Sequence, residues 1–304
     1  MQVTANGLAL EVDVQGPPDG PPVLLIMGLG MQLIGWPQEL VDDLVARGVR
    51  VIRFDNRDAG LSQGFDACGL PNMAVAALRY LLRLPVRSAY TLADMAADAV
   101  GVLDALGIEK AHVCGASMGG MIAQHLAAHH AGRVASLCLM MTTSGSRRLP
   151  QPRAHVRRAL LQRPDGQHAD AVVAHLERLL HLIGSPAYRP EPASFRQRLQ
   201  ATVARAWRPA GTARQLCAVV ADGDRTPMLR HIVVPAVVIH GRDDPLIPAA
   251  CGEDLAHRIA GARIDLVPGM GHDLPLPLLP RFADAIVANA RRAGGIEPGP
   301  QSPA

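Results

Sequence analysis

The stretch Ala111-His112-Val113-Cys114-Gly115-Ala116-Ser117-Met118-Gly119-Gly120 decides how this 304-residue chain folds. Its first four residues form a short apolar strand, and residues 119–129 carry helical spacing. Between the two lies Gly-x-Ser-x-Gly, a pattern that chance produces often but that gains meaning when a strand enters it and a helix leaves it. A strand that reverses sharply into a helix strains the backbone of its corner residue, and the flanking residues must be small to tolerate the turn. The outcome is a hydroxyl exposed at a helix N-terminus, where backbone N–H groups and the helix dipole favour a nearby negative charge. Ser117 is therefore the candidate nucleophile; a glycine-rich helix cap is the bland reading of the same residues.

Working outward, Leu8–Val14 alternates apolar and polar residues as a half-buried strand does, and Gly16–Gly20 breaks the chain as a turn. Val23–Met27 is continuously apolar, as expected of a strand buried on both faces of a parallel sheet. A helical stretch near 37–47, a strand at Val49–Phe54, a helix over 91–106 with Thr91 as N-cap and Gly107 as stop, and a strand at 134–141 continue the rhythm. This alternation predicts an α/β fold: a mostly parallel central sheet with helices on both faces. The rhythm stops at about Ser146. Residues 146–230 are helix-forming, arginine-rich and broken by prolines, and strands resume at Val233–His240 and Ala262–Val267, with helices after Ala249 and near 278–292. The predicted organisation is a core of residues 1–145 and 231–293, a helical cap insertion at 146–230, and a Gly/Pro-rich tail at 294–304 that reads as disordered. Such a cap belongs over the C-terminal edge of the sheet, where α/β folds bind ligands.

The formal net charge of +3 is too small to imply a nucleic-acid or acidic-membrane partner. Residues 146–230 nevertheless hold 15 of the 30 basic residues and only 6 of the 27 acidic ones, giving +9 against −6 for the remainder. That contrast supports the insertion boundary; a solvated helical surface is the default reading of its arginines. No apolar run reaches transmembrane length and the N-terminus does not read as a signal peptide, so a cytoplasmic protein is expected. Cysteines 68, 114, 138, 217 and 251 are scattered and read as reduced thiols.

A serine hydroxyl needs a base to take its proton, and the base needs a group to orient it. Among twelve histidines, His272 stands out: it follows the strand 262–267 in Pro268-Gly269-Met270-Gly271-His272-Asp273, a loop at the same sheet edge as Ser117. His112, His125, His129 and His130 lie in elements where core filling or a solvated helix face explains them, and His155, His168, His175 and His181 fall in the cap. The acid should also follow a strand, and Asp243 and Asp244 in His240-Gly241-Arg242-Asp243-Asp244-Pro245 both qualify. Whichever is not catalytic reads as a turn cap. The oxyanion donors should be the backbone N–H of Met118 and, from the loop after 23–27, that of Leu29, with Gly28 and Gly30 allowing close approach. Trp36, just beyond that loop, is a candidate to line the substrate pocket; Trp207, Phe195 and Tyr188 are candidates by size that read more simply as cap packing.

Leu25–Gly30, Gly35-Trp36-Pro37, Val51–Ser62, the serine turn, Asp243-Asp244-Pro245 and Gly269–His272 together resemble the α/β-hydrolase superfamily, and within it bacterial carboxylesterases similar to aclacinomycin methylesterase. The resemblance places the acid directly before the proline, which selects Asp244. It also likens Asp55–Ser62 to the family's D-x-R-G-x-G-x-S loop, with Asp58 where the first glycine is usual and Asp55 and Arg57 in a structural role. Met27 stands where many relatives have histidine, a change in how the oxyanion loop is braced. The implied activity is hydrolysis of a small-molecule carboxylic ester by the triad Ser117, Asp244 and His272, with no cofactor, no metal and no nucleic-acid or membrane partner, in a monomer or homodimer. A serine nucleophile argues against the haloalkane dehalogenases and epoxide hydrolases, which use aspartate. Cofactor-free perhydrolase or haloperoxidase activity, and lactone or thioester hydrolysis, use the same triad, and a non-catalytic binding protein is the reading of a different class.

Overall fold

The computed structural model describes residues 1–294 apart from Leu161 and Gln167; of the tail expected from Gly294 onward, only that glycine lies inside the described residues. The strands are β1 (Gln2–Ala5), β2 (Leu8–Gln15), β3 (Pro22–Ile26), β4 (Arg50–Phe54), β5 (Ala111–Ala116), β6 (Val134–Met140), β7 (Ala236–Gly241) and β8 (Arg263–Val267). The helices of the body are α1 (Gln38–Ala46), α2 (Met73–Leu81), α3 (Leu92–Ala105) and α4 (Met118–His129). Five more follow β6 without an intervening strand: α5 (Ala154–Leu160), α6 (Ala169–Ile183), α7 (Pro192–Arg205), α8 (Pro209–Asp222) and α9 (Thr226–Leu229). The chain then completes the sheet with α10 (Ala250–Arg258) and α11 (Leu279–Arg291).

The strands form one sheet in the order β1-β2-β4-β3-β5-β6-β7-β8, parallel from β4 to β8, with β1 and β2 antiparallel at one edge. Period-two alternation sorts its side chains into two layers: Leu24 and Ile26 pack with the apolar faces of α3, α4 and α10, whereas Val23 and Leu25 pack with those of α1 and α11. The order reverses between β3 and β5, because the chain leaves β3 towards β4 and resumes on the other side with β5. An open α/β sheet has its ligand crevice at such a switch point, outside the carboxyl ends of the strands. Ser117 follows β5 there, and Gly28 follows β3. The α3 helix starts as expected, with Thr91 and Asp94 forming a capping box, and stops at Gly107, whose φ is +66°.

Two elements were not anticipated. Strand β1 pairs with β2 through a two-residue turn, Asn6-Gly7, with φ of +50° and +75°. That dipeptide is the residue pair a hairpin with two positive φ values selects, so the signal was present in the sequence. Helix α2 buries only Ala76 and leaves Val75, Leu78 and Leu81 exposed, so its apolar residues do not mark a core face. It packs against α8.

The insertion is not simply a solvated arginine surface. The Arg214 guanidinium, 3% exposed, grips Asp58 with two hydrogen bonds, Nε to Oδ2 at 2.8 Å and Nη2 to Oδ1 at 2.7 Å. Arg205 reaches Asp55 Oδ2 at 2.8 Å. Arg225, also buried, pairs with Asp222 within the insertion. The excess positive charge of residues 146–230 is thus partly matched to carboxylates of the body. Asp58 is itself unusual: a non-glycine residue at φ +66° whose carboxylate also accepts from Tyr90 Oη at 2.7 Å and Phe65 N–H at 2.8 Å. Burial pushes its pKa up, but Arg214, the Phe65 amide and Tyr90 outweigh that and hold it below the usual carboxylate value. No helix among the described residues is long and apolar enough to cross a membrane.

Removing one partner of a buried ion pair strands the other charge. Arg214→Ala should therefore cost about 3–5 kcal/mol of stability in urea unfolding, and adding Asp58→Gly should recover part of the loss by removing both the orphan carboxylate and the left-handed strain. Additive losses in the double variant would show that the pair is not coupled.

Candidate active site

Ser117 sits between β5 and α4 with φ +55° and ψ −118°, the strained corner expected of the Gly-x-Ser-x-Gly turn. The surrounding glycines show why the turn needs them. A Cβ on Gly119 would lie 2.0 Å from the Ile26 carbonyl oxygen, and one on Gly115 would lie 2.3 Å from that of Gly119. Only with both absent can α4 start this close to the ends of β3 and β5. The corner is tied down on each side: Ser117 N–H donates to Met140 O at 2.9 Å, and Thr142 Oγ1 donates to Ser117 O at 2.7 Å.

His272 reaches Ser117 from the loop after β8, with Nε2 3.0 Å from Ser117 Oγ. Its Nδ1 lies 2.7 Å from Asp244 Oδ2. Asp244 Oδ1 is filled by the N–H groups of Leu246 and Ile247, both at 2.8 Å, which fixes the carboxylate plane. A carboxylate that only accepts requires the proton on Nδ1, and that leaves the Nε2 lone pair facing the serine hydroxyl. Burial is nearly complete for Asp244 and His272, at 5% and 9% exposed. These three residues, distant in sequence, are brought into one hydrogen-bonded line.

Asp243 does something else. Its Oδ2 accepts the Gly269 N–H at 2.8 Å and its N–H donates to Met270 O at 3.0 Å, so it clamps the loop that carries His272. Other supports had no sequence signal. His272 N–H donates to Ile183 O at 2.8 Å, from the C-terminal end of α6 in the insertion. Ser185 Oγ accepts the Gly271 N–H at 2.9 Å and donates to Asp273, whose carboxyl pKa is raised by burial despite that bond. His240 packs beneath the acid with Nε2 3.7 Å from Asp244 Oδ2 and hydrogen-bonded to Ile247 O at 2.8 Å; burial lowers its pKa and favours the neutral ring.

The loop after β3 passes directly beside Ser117: a Cβ on Gly28 would lie 3.2 Å from Ser117 Cβ and 3.7 Å from Oγ. Among the described residues, neither the Leu29 nor the Met118 N–H is donated to a protein acceptor, which leaves both of the expected oxyanion donors free. Trp36 is a correction. It is fully buried and packs with Leu40, Val41 and Leu44 of α1 beneath the sheet, so it fills core and presents no surface to a substrate. Of the aromatic residues of the insertion, Phe195 packs edge-on against His181, 5.1 Å between ring centroids.

The sequence profile of the α/β-hydrolase fold matches residues 21–276, which takes in β3, the serine turn, the whole insertion and the histidine loop. The chain belongs to the α/β-hydrolase family. Its relatives include rhodomycin D methylesterase DauP of Streptomyces sp., 30% identical over 96% of this chain and 98% of that protein. Another is 3-oxoadipate enol-lactonase 1 of Acinetobacter baylyi, 26% identical over 88% of each chain. Among solved structures, a hydrolase from Pseudomonas aeruginosa PA01 superposes with a TM-score of 0.69 at 26% identity, covering 97% of this chain and 98% of that one. The enol-lactonase from Burkholderia xenovorans LB400 has the same fold, with a TM-score of 0.72 at 24% identity over 96% of this chain and 100% of that one.

The two adjacent aspartates can be separated by experiment. Asp244→Asn, which disturbs the histidine tautomer, should lower turnover of an ester by about 10³–10⁴-fold with folding retained. Asp243→Asn, which only loosens a loop clamp, should cost less than about tenfold. Equal losses in kcat from the two would overturn this division of roles.

Proposed function

We propose that this α/β-hydrolase cleaves carboxylic esters through an acyl-enzyme formed on Ser117, with His272 as base and acid and Asp244 as its orienting partner. The observation that carries the reading is the line Asp244 Oδ2–His272 Nδ1 and His272 Nε2–Ser117 Oγ, at 2.7 and 3.0 Å, ending on a serine held at a strained strand–helix corner. In the first half-reaction His272 Nε2 takes the hydroxyl proton as Ser117 Oγ bonds to the acyl carbon. The carbonyl oxygen becomes an oxyanion held by the Leu29 and Met118 N–H groups. Collapse breaks the bond to the alkoxide, which leaves as the alcohol with the proton from His272. In the second half-reaction His272 deprotonates water, the hydroxide attacks the ester carbonyl, and Ser117 is released as the free hydroxyl while the acyl group departs as a carboxylic acid. Asp244 stabilises the imidazolium that forms twice in the cycle. No step calls for a metal.

The methylesterase relatives, 29–30% identical along nearly the whole chain, support small-alcohol esters, methyl esters first, as the substrate class. The helices of residues 146–230 act as the cap of the site, since their backbone and side chains contact the loops after β3, β4 and β8.

The test pairs chemistry with labelling. The unaltered protein should hydrolyse p-nitrophenyl butyrate and carboxylic methyl esters, and a fluorophosphonate should modify Ser117; Ser117→Ala should abolish both with an unchanged melting temperature. Retained hydrolysis in Ser117→Ala would sink the acyl-enzyme assignment, and a folded protein that resists labelling would point to a binding module. Faster oxidation with acetate and peroxide than ester turnover would favour the perhydrolase reading instead.

A further inference from the structure

The Gly28-Leu29-Gly30-Met31 loop cannot hold itself in shape. Met31 N–H donates to Gly28 O at 3.2 Å, and Gly30, third in the turn, has φ +67° while Leu29 does not have a positive φ. This is the dihedral signature of a type II turn, whose central peptide, Leu29–Gly30, can rotate to the type I arrangement unless something holds it. Among the described residues of the body, only Asn56 Nδ2, bonded to Met27 O at 3.0 Å, and Asp55 Oδ1, accepting Leu33 N–H at 2.6 Å, reach the flanks of the loop. The central peptide is held from the insertion. Gln215 of α8, wholly buried, accepts the Gly30 N–H on Oε1 at 2.8 Å and donates from Nε2 to Arg57 O at 2.8 Å. One helical turn earlier on α8, Thr212 occupies the space beside Gly30, where a Cβ would lie 2.7 Å from its hydroxyl oxygen. Helix α7 adds a second brace: Gln32 Nε2 donates to Thr202 O and Ala206 O, both at 2.8 Å, and Arg205 bonds Gln32 Oε1 at 2.6 Å.

We infer that Gln215 is a positioning residue for the oxyanion hole: by holding the Gly30 N–H it fixes the Leu29–Gly30 peptide and with it the backbone of Leu29, whose own N–H lies in the preceding peptide and is the expected oxyanion donor. This rests on the acyl-enzyme reading above and adds to it that the insertion, besides covering the site, completes the transition-state machinery. A side chain that both accepts and donates is what this position selects. Its two partners, the half-buried Gly30 N–H and the buried Arg57 C=O, belong to the loops after β3 and β4, and a glutamine spans them where an apolar residue would leave each unpaired. The consequence is kinetic. An oxyanion donor acts on the tetrahedral state far more than on bound ester, so a misplaced turn lowers kcat and leaves KM nearly unchanged.

The experiment compares Gln215→Met, which keeps the shape and loses both bonds, with Cys217→Ala, which removes a buried side chain two residues along the same helix and does not touch the loop. Gln215→Met should lower kcat for a methyl ester by about 10–100-fold, part of the loss seen when an oxyanion donor is deleted outright, with KM within about twofold. The inhibition constant of a trifluoromethyl ketone, which adds to Ser117 to give a tetrahedral oxyanion, should rise by the same factor. Cys217→Ala should keep kcat even where its melting temperature falls as far. If Gln215→Met does not fold, Gln215→Asn, polar but one methylene too short to span both partners, should show the same split. Gln215→Glu, which still accepts the Gly30 N–H, should keep more activity than the methionine variant. A Gln215→Met or Gln215→Asn protein with near-normal kcat, or with ketone affinity unchanged while kcat falls, overturns the inference provided Ser117→Ala is inactive. Turnover persisting in Ser117→Ala would instead remove the underlying reading.

Discussion

The left-handed backbone of Ser117 is the constraint on which the rest of this structure depends. A non-glycine residue at φ +55° costs on the order of 1–3 kcal/mol and persists only where its surroundings over-determine it. Here they do so from three directions. Strand β6 takes its N–H, Thr142 takes its carbonyl, and the absence of side chains at Gly115 and Gly119 lets α4 begin against the end of β3. The reward is positional: the hydroxyl stands clear of the sheet edge at the point where strand order reverses, with the first N–H groups of α4 unspent. Every other component of the site is aimed at that one oxygen.

What aims them is a division of labour between body and insertion. Asp244 is oriented by its own turn, through the N–H groups of Leu246 and Ile247, and Asp243 next to it clamps the loop that carries His272. The loop that carries His272 and the loop after β3, in contrast, each lean on the helices inserted after β6, through Ile183 O and Ser185 in one case and Gln215 in the other. Those helices are in turn anchored by Arg205 and Arg214 on Asp55 and Asp58. Asp58 accepts left-handed strain at φ +66° and makes an ion pair across the boundary between insertion and body. The charge contrast between the two parts of the chain is therefore partly an assembly signal, because the carboxylates of the loop after β4 meet arginines of the inserted helices.

Much of this was legible in the linear sequence, for a definite reason. Buried parallel strands are short apolar runs, helices between them have period 3.6, and a strained nucleophile turn demands small residues at fixed offsets; all three are local, so β3 to β8 and Ser117 could be read directly. His272 and Asp244 could be proposed because each follows a strand at the same sheet edge, although Asp243 and Asp244 were separable only by resemblance until the N–H groups that each carboxylate accepts were seen. The Asn6-Gly7 hairpin is equally local, set by a dipeptide that tolerates two positive φ values.

Trp36, Gln215, Ser185 and the buried arginines belong to the other category. Size and proximity to the oxyanion loop suggested a pocket wall for Trp36, yet its ring turns into the layer beneath the sheet, because the short helical turn before α1 delivers it there. Nothing in the neighbourhood of Gln215 distinguishes it from any polar residue on a helix; its meaning lies in two backbone groups some 160–185 residues away. The sequence by itself determined the sheet, the strained serine turn and the type of chemistry, since these follow from local periodicity and turn sterics. Only the tertiary structure decided which of two carboxylates faces the histidine, where the tryptophan points and what holds the turn after β3, because a hydrogen bond between distant segments leaves no periodic trace in either of them.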